Sequence, residues 1–269
     1  MFSANGLYTA GSDPQGGSRL WSYLDGQELF AAPDAEIRGM SEDGTLVVLV
    51  DPSTDRTQLV SIAGAVIAEL DVVPGQWWSA VFSADGRYVA TNTDGAIQIW
   101  DTSTGAQLGS IEEYDLTGTT IRWTPDGSLL IVAGYNGIIN VFDVGRLLRG
   151  ESDRESIITR IPAHDPLPIV VDLKDGLILT VAREEPIKVW DLETGTLVGE
   201  YGTPAEREFV AAAFHPTEPR LYAEVDADLI GIFTTDPDKL IEIARSRLSR
   251  DLTEEECQLY LRQSCAEDK

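Results

Sequence analysis

The sequence predicts an all-β protein built as a β-propeller, in which similar antiparallel sheets surround a central axis. Three observations support this prediction. An apolar run, an Asp-Gly turn, a second apolar run and an aromatic residue before an acidic turn recur along the chain. The pattern returns every 38 to 50 residues, which brackets the roughly 40–45 residues of a four-stranded propeller blade. Glycines also interrupt each segment before three helical turns could form.

Six units are visible, and the first and the last are incomplete. The residues before the first turns are Phe2, Met40, Phe82, Trp123, Leu173 and Phe214. Five of these six turns contain Asn-Gly or Asp-Gly, dipeptides that tolerate the positive φ angles of tight hairpins. The sixth turn is Pro216-Thr-Glu-Pro219. The predicted third strands end at Trp21, Leu59 or Val60, Trp100, Phe142, Trp190 and Phe233.

These residues resemble the WD-repeat (WD40) β-propellers, and the resemblance extends from Phe2 to about Thr235. It implies a buried hydrogen-bonded network of a third-strand Trp, a second-strand hydroxyl, a loop His and a turn acid. The residues with that spacing are His164, Thr180, Glu184 and Trp190. The matching positions near Trp100 include Ala90 and Val73, so we expect that unit to lack the network.

After residue 236 the period changes and predicts helix. Pro237 suits a first helical position with Asp236 as the cap. We therefore predict a propeller domain over residues 1–236 and a helical C-terminal tail over 237–269. Residues 240–261 resemble the tail of large bacterial WD-repeat proteins. Those proteins often carry a STAND-type NTPase or a transcriptional-regulator module ahead of the propeller.

Closure of the ring is a separate question. In WD-repeat propellers the beginning of the chain normally supplies the outermost strand of the last blade, which hides the sheet edges. This sequence starts near the end of a first strand and continues after Phe233 into predicted helices. We expect the C-terminal part of a longer propeller of six or seven blades, with upstream domains. Alternatively, the helices over 238–262 cover the open edge.

The formal charge of −25 limits the classes of partner. Such a field repels phosphates and anionic lipid heads, which argues against nucleic-acid and membrane-surface binding. The acidity reflects solubility, adaptation to a salty cytoplasm, or a partner with a basic face. The sequence lacks a signal peptide and a run long enough to span a membrane. We therefore expect a cytoplasmic protein.

Motifs for catalysis are missing from the sequence. It contains no phosphate-binding loop, no His-Glu-x-x-His, no Gly-x-Ser-x-Gly and no metal-spaced Cys/His cluster. We therefore predict no catalytic residue, no cofactor and no metal site. The alternative is a propeller hydrolase or lactonase with a divalent metal in the axial channel. Its candidate ligands are Asp94, Asn136 and Asp228, at equivalent blade turns.

The candidate partner-binding residues are aromatic and basic. Of the neighbours Trp77 and Trp78, only one can point into the sheet packing. Tyr114 occupies the matching loop of the next unit, and an insertion over residues 145–156 contains Arg146 and Arg149. Alternatively, the aromatic residues pack between blades, and the insertion is a surface loop without a binding role. The predicted function is a non-catalytic scaffold or sensor domain of a bacterial signalling protein that binds a protein or peptide.

Overall fold

The computed structural model describes most of the repeat region and one C-terminal helix. The described residues are 3, 6–12, 17–72, 79–93, 96–112, 120–164, 170–182, 184–202, 208–226, 229–247 and 253.

In the described ranges, six antiparallel sheets follow one another along the chain, four with four strands and two with three. The first contains β1 (Tyr8–Ser12), β2 (Ser18–Ser22) and β3 (Glu28–Ala32). The second contains β4 (Glu36–Met40), β5 (Leu46–Asp51), β6 (Arg56–Ser61) and β7 (Val66–Leu70). The third contains β8 (Ser79–Phe82), β9 (Tyr88–Thr93), β10 (Ala96–Asp101) and β11 (Gln107–Ile111).

The remaining three sheets repeat this order. The fourth contains β12 (Thr120–Trp123), β13 (Leu129–Ala133), β14 (Ile138–Asp143) and β15 (Ile157–Pro162). The fifth contains β16 (Val170–Lys174), β17 (Leu177–Val181), β18 (Ile187–Asp191) and β19 (Leu197–Tyr201). The sixth contains β20 (Phe209–Phe214), β21 (Arg220–Val225) and β22 (Leu229–Thr234). The predicted all-β architecture is confirmed.

A register shift at one position makes the sheets comparable residue by residue. In five sheets the pairing of the third with the fourth strand shifts directly before the aromatic residue or its substitute. The shifts lie at Leu20/Trp21, Leu59/Val60, Ile99/Trp100, Val141/Phe142 and Val189/Trp190. By this register, β1 to β3 are counterparts of the second, third and fourth strands elsewhere. In the same way, β20 to β22 are counterparts of the first three.

The core is a series of apolar layers between successive sheets. Ile139 and Val141 of the fourth sheet pack with Ile178 and Trp190 of the fifth. Equivalent layers join the second sheet to the third, the third to the fourth and the fifth to the sixth. Because the second to fifth sheets each pack against a neighbour on both faces, the burial of a strand residue depends on the presence of the next sheet.

The first turn of the sixth sheet has different chemistry from the Asp-Gly turns. In the fourth sheet, the Asp126 carboxylate accepts hydrogen bonds from the Thr124 hydroxyl and the Ser128 amide. In the sixth, Nδ1 of His215 accepts from the Glu218 amide at 2.9 Å. The Lys174 ammonium group of the fifth sheet donates to the carbonyls of His215 and Glu218, at 2.7 and 2.9 Å. A lysine of the preceding sheet therefore stabilises this turn.

Three helices of the described part of the chain lie outside the sheets. The insertion of the fourth sheet forms α1 (Val144–Leu148) and α2 (Asp153–Ser156), and α3 (Pro237–Arg247) follows the sixth sheet. Asp236 caps α3 as predicted, since its carboxylate accepts from the Asp238 amide at 3.0 Å. The division of the chain into two domains stays a prediction, and nearly all of the tail beyond α3 lies outside the described residues. None of the helices in the described ranges is long and apolar enough to cross a membrane.

Candidate interaction surface

A buried hydrogen-bonded network fixes the loop between the fourth and fifth sheets. The indole N–H of Trp190 donates to the hydroxyl of Thr180 at 2.9 Å, and Nε2 of His164 lies 2.8 Å from the same hydroxyl. Nδ1 of His164 lies 2.9 Å from the Glu185 carboxylate. A carboxylate only accepts, so Nδ1 carries the proton, and in the neutral ring Nε2 accepts from Thr180. The structure thus brings together three of the four residues expected from the sequence.

The acid in this network is Glu185, and the expectation that Glu184 supplies it is wrong. Glu184 is exposed and has a left-handed backbone with φ of 63°. We attribute the difference to this conformation, with the following residue presenting its carboxylate to the histidine. Glu185 also accepts from the Lys188 ammonium group at 2.7 Å, and Lys188 donates to the Ala163 carbonyl at 2.9 Å. Sequence reasoning did not find this lysine.

The third sheet contains part of the same network, which corrects a second expectation. The indole N–H of Trp100 donates to the Thr91 hydroxyl at 2.8 Å. Thr91 pairs with Gln98, just as Thr180 pairs with Lys188. The hairpin between β9 and β10 is one residue shorter than that between β17 and β18. The spacing between Thr180 and Trp190, when applied to Trp100, therefore leads to Ala90 and misses Thr91. Position 73 lies outside the described residues.

The insertion that contains Arg146 and Arg149 is attached firmly to the sheets. Its α1 begins at the Asp143 cap, whose carboxylate accepts from the Arg146 amide, and it buries Val144 and Leu147. Leu147 packs in the layer between the third and fourth sheets. At the far end of the insertion, the Asp153 carboxylate accepts from the Glu112 amide at 2.8 Å, next to the end of β11.

Arg149 is exposed, Arg146 is half-buried, and both have partners within the insertion. The Arg146 guanidinium donates to the Glu155 carbonyl at 2.7 Å, and that of Arg149 donates to the Glu151 carboxylate at 2.8 Å. Ion pairs this exposed contribute little to stability. Both guanidinium groups therefore remain partly accessible to a partner.

The other candidate residues are mostly outside the described part of the chain. Trp77, Trp78 and Tyr114 lie there, and so do two of the possible metal ligands, Asp94 and Asp228. The third, Asn136, accepts from the Ile138 amide at 3.0 Å within its turn. Within the described ranges, no three His, Cys, Asp or Glu side chains are grouped to hold a metal ion.

One apolar face of the sixth sheet is uncovered, and the sequence analysis did not identify it. Ile187 and Val189, three residues and one residue before Trp190, are 0% and 2% exposed. Ile230 and Ile232, three residues and one residue before Phe233, are 76% and 61% exposed. Two further apolar residues of the same sheet, Leu229 and Val210, are about half exposed. Ile230 and Ile232, which lie two residues apart and therefore on the same face of β22, are called the open face below.

The sequence does contain a signal for the open face. Ile230 pairs across the strands with Glu224. The corresponding partners in the second, third and fourth sheets are Val50, Asn92 and Ala133, all buried. The carboxylate of Glu224 at this position indicates that this part of the sixth sheet is not buried against a further sheet, because burial of an unpaired charge is costly.

Two segments match the family described as "WD domain, G-beta repeat", over residues 70–101 and 115–143. Some of the similar curated proteins carry WD repeats by name. The WD repeat-containing protein 18 of Danio rerio is 26% identical over 133 residues, 47% of this chain and 31% of that protein. The pre-rRNA-processing protein IPI3 of Mycosarcoma maydis is 23% identical over 187 residues, 63% of this chain and 32% of that protein. The matched regions span about a third of the length of these relatives.

Solved structures are similar in fold. "KlHsv2 with loop 6CD replaced by a Gly-Ser linker" superposes with a TM-score of 0.68 at 15% identity, covering 87% of this chain and 76% of that chain. The computationally designed Ika8 protein gives a TM-score of 0.65 at 17% identity, covering 85% of this chain and 68% of that chain. At such identities the likeness concerns the fold alone.

Proposed function

Because the chain is a β-propeller with WD repeats, we propose that it is a non-catalytic scaffold that binds a protein or peptide partner. We propose that one contact is the insertion formed by α1 and α2, and that the protein acts in the cytoplasm. The observation that carries this proposal is the attachment of an exposed, arginine-bearing loop to the buried layers. Loops held by a rigid framework are the usual positions for binding residues.

The attachment matters because binding costs conformational entropy. Leu147 is buried between two sheets and Asp153 is bonded to the end of β11, so the insertion is fixed at both ends. A loop that is already ordered loses less freedom on binding, which leaves more of the contact energy for affinity.

The charge of the chain supports a partner with a basic face. At a net charge of −25, a complementary partner is attracted over a distance of about 8–10 Å at physiological salt. Such steering accelerates association and makes it depend on ionic strength. On an acidic surface, Arg146 and Arg149 then supply local selectivity for an acidic side chain within that partner.

Partner capture with two matched charge reversals tests the contact. Arg149→Glu changes an arginine that is 63% exposed and paired with Glu151, and Arg87→Glu changes one that is 69% exposed and paired with Asp85. We expect R149E to lower partner capture from lysate about tenfold, as removal of an interface contact does, and R87E to leave it unchanged. Equal capture by both variants contradicts the insertion as a contact. Absence of any partner, or turnover with a stoichiometric metal, contradicts the scaffold.

We further propose that the scaffold serves a bacterial signalling or regulatory protein. The support is the resemblance of residues 240–261 to the tail of large WD-repeat proteins of that kind. Cross-linking in the source cells, followed by mass spectrometry, tests this. An NTPase or transcriptional-regulator module among the cross-linked segments supports the proposal. Cross-links confined to pre-rRNA-processing proteins, the class that the name of one relative gives, contradict it.

A further inference from the structure

The first strands of successive sheets lie side by side and form the inner wall of the propeller. From β4 through β8, β12 and β16 to β20, each contacts the first strand of the next sheet. Two hydrogen bonds join them directly. The Trp123 indole N–H donates to the Val81 carbonyl at 2.9 Å, and the Phe214 amide donates to the Asp172 carboxylate at 2.7 Å. Because the blades of a propeller surround a central channel, the residues of these strands that are not packed between sheets line that channel.

Arg122 lies on the channel side of β12. Its neighbours Ile121 and Trp123 are 1% and 8% exposed and pack in the layer between the third and fourth sheets. Arg122 itself is exposed, as expected from the alternation of a strand. The register of the sheets gives its counterparts in β8, β16 and β20, which are Val81, Asp172 and Ala213. Arg122 is thus the only basic residue at these four equivalent positions.

The guanidinium group of Arg122 has no acidic partner among the described residues. It donates one hydrogen bond, to the carbonyl of Ile121 at 2.9 Å. Arginines elsewhere, such as Arg38, Arg87 and Arg149, each pair with a carboxylate. A guanidinium group has five N–H donors in a planar fork, so most of the hydrogen-bonding capacity of Arg122 is not used within the described chain.

The surroundings of Arg122 strengthen an interaction with an anion. Desolvation by the surrounding protein lowers the pKa of Arg122, and the charge of Asp172 opposes this effect. The Asp172 carboxylate is bonded to the Phe214 amide of the sixth sheet and forms no ion pair with Arg122 in the described structure. Because Arg122 is exposed and yet partly desolvated, it lies in a recess. Charge-assisted hydrogen bonds are stronger there than on an open surface, since water screens them less.

We infer that Arg122 binds a carboxylate group in the central channel. The planar fork of a guanidinium group matches the two oxygens of a carboxylate. Asp172 and the net charge of −25 repel a doubly charged phosphate more strongly than a singly charged carboxylate. The carboxylate belongs either to an acidic side chain of a protein segment or to a small free acid. This site goes beyond the proposed scaffold function and is separate from the insertion.

Side-chain NMR of the arginines tests the inference with the 269-residue chain. The Nε–Hε resonance of Arg122 is identified by its absence from the spectrum of Arg122→Gln. The probes are sodium acetate, a blocked Gly-Ser-Glu-Ser-Gly peptide, and the same peptide with Gln in place of Glu, all at constant ionic strength. We expect acetate or the Glu peptide to shift this resonance saturably and the Gln peptide to leave it unchanged. Tighter binding of the Glu peptide than of acetate assigns the carboxylate to a protein segment, and equal or weaker binding assigns it to a small acid.

Three variants separate the site from general effects of charge, with the backbone amide of Trp123 as the common readout. Arg122→Lys keeps the charge but loses the fork, and we expect affinity to fall about three- to tenfold. Asp172→Asn removes the opposing charge and keeps an oxygen that accepts from the Phe214 amide. Affinity should then rise about threefold, a gain that misfolding cannot produce. Arg56→Gln removes a charge from a side chain that is 57% exposed on the second sheet and leaves affinity unchanged.

Three results overturn the inference. The first is the absence of a saturable shift of the Arg122 resonance with both acetate and the Glu peptide. The second is an equal shift with chloride or inorganic phosphate, which indicates a general anion effect. The third is equal affinity in the unmodified protein, R122K and D172N. None of these results concerns the insertion, which R149E tests, so failure of the channel site leaves the scaffold function intact.

Discussion

Ile187 and Ile230 occupy the same position in the fifth and sixth sheets, yet the first is completely buried and the second is 76% exposed. Both lie three residues before the aromatic position of a third strand. Their difference is therefore not one of local structure. It arises because the sixth sheet packs against Ile187, whereas no described residue covers Ile230. The stability of each sheet accordingly depends on its neighbour.

The hydroxyl of Thr180 is expected to be the most sensitive point of the buried network. Thr180→Val leaves the indole N–H of Trp190 and the ring of His164 without their shared partner, and we expect a loss of about 2–3 kcal/mol. Thr91→Val removes the partner of Trp100 and is expected to cost about 1–2 kcal/mol. Urea unfolding of both variants measures the difference. A neutral Thr180→Val contradicts the network.

The choice between two adjacent glutamates can be tested directly. Glu185→Gln weakens the contacts with His164 and Lys188, and we expect a loss of about 1–3 kcal/mol. Glu184→Gln changes an exposed residue and should stay within about 0.5 kcal/mol of the unmodified protein. Thermal and urea unfolding of the pair provide the measurement. If Glu184→Gln lowers the free energy of unfolding more than Glu185→Gln does, Glu184 and not Glu185 supplies the acid of the network.

Lys174 is expected to hold the sixth sheet against the fifth. Lys174→Met keeps the aliphatic stem and removes both charge-assisted bonds to the turn carbonyls, at an expected cost of about 2 kcal/mol. Since the turn precedes β21, amide exchange should accelerate in β21 and β22 before it does so in β13. Lys239→Met, at an exposed lysine of α3, is the control. Uniform acceleration across all sheets contradicts a local role.

The stabilisation that the Asp-Gly turns provide should decrease as the pH falls. Hydrogen bonds from the Thr124 hydroxyl first, then from Ser128, hold the pKa of Asp126 below its usual value of 3.8. A lowered pKa in the folded state adds stability above pH 3.8 that is lost as the pH falls through the lower folded value. Asp126→Asn cannot titrate. The stability difference between the native protein and D126N should therefore be constant near pH 6–7 and shrink below pH 4.

Urea unfolding of the two proteins across this range measures that difference. Because both proteins share the other carboxylates, the change in overall charge repulsion largely cancels in the comparison. A difference that grows on acidification contradicts the stabilising role of the ionised Asp126 in its turn.

The sequence by itself determined the repeated sheets, because turn chemistry and strand periodicity are local properties of the chain. The register of Trp190 with Thr180 and His164 followed from spacing for the same reason. Only the tertiary structure decided between Glu184 and Glu185, since Glu184 has a left-handed backbone and an exposed carboxylate, whereas that of Glu185 is half-buried beside His164. It also selected Thr91, because hairpin length is set by strand pairing. The exposure of Ile230 was decided by the packing of whole sheets, and the sequence signals it only through Glu224, which pairs with Ile230 once the strand register is known.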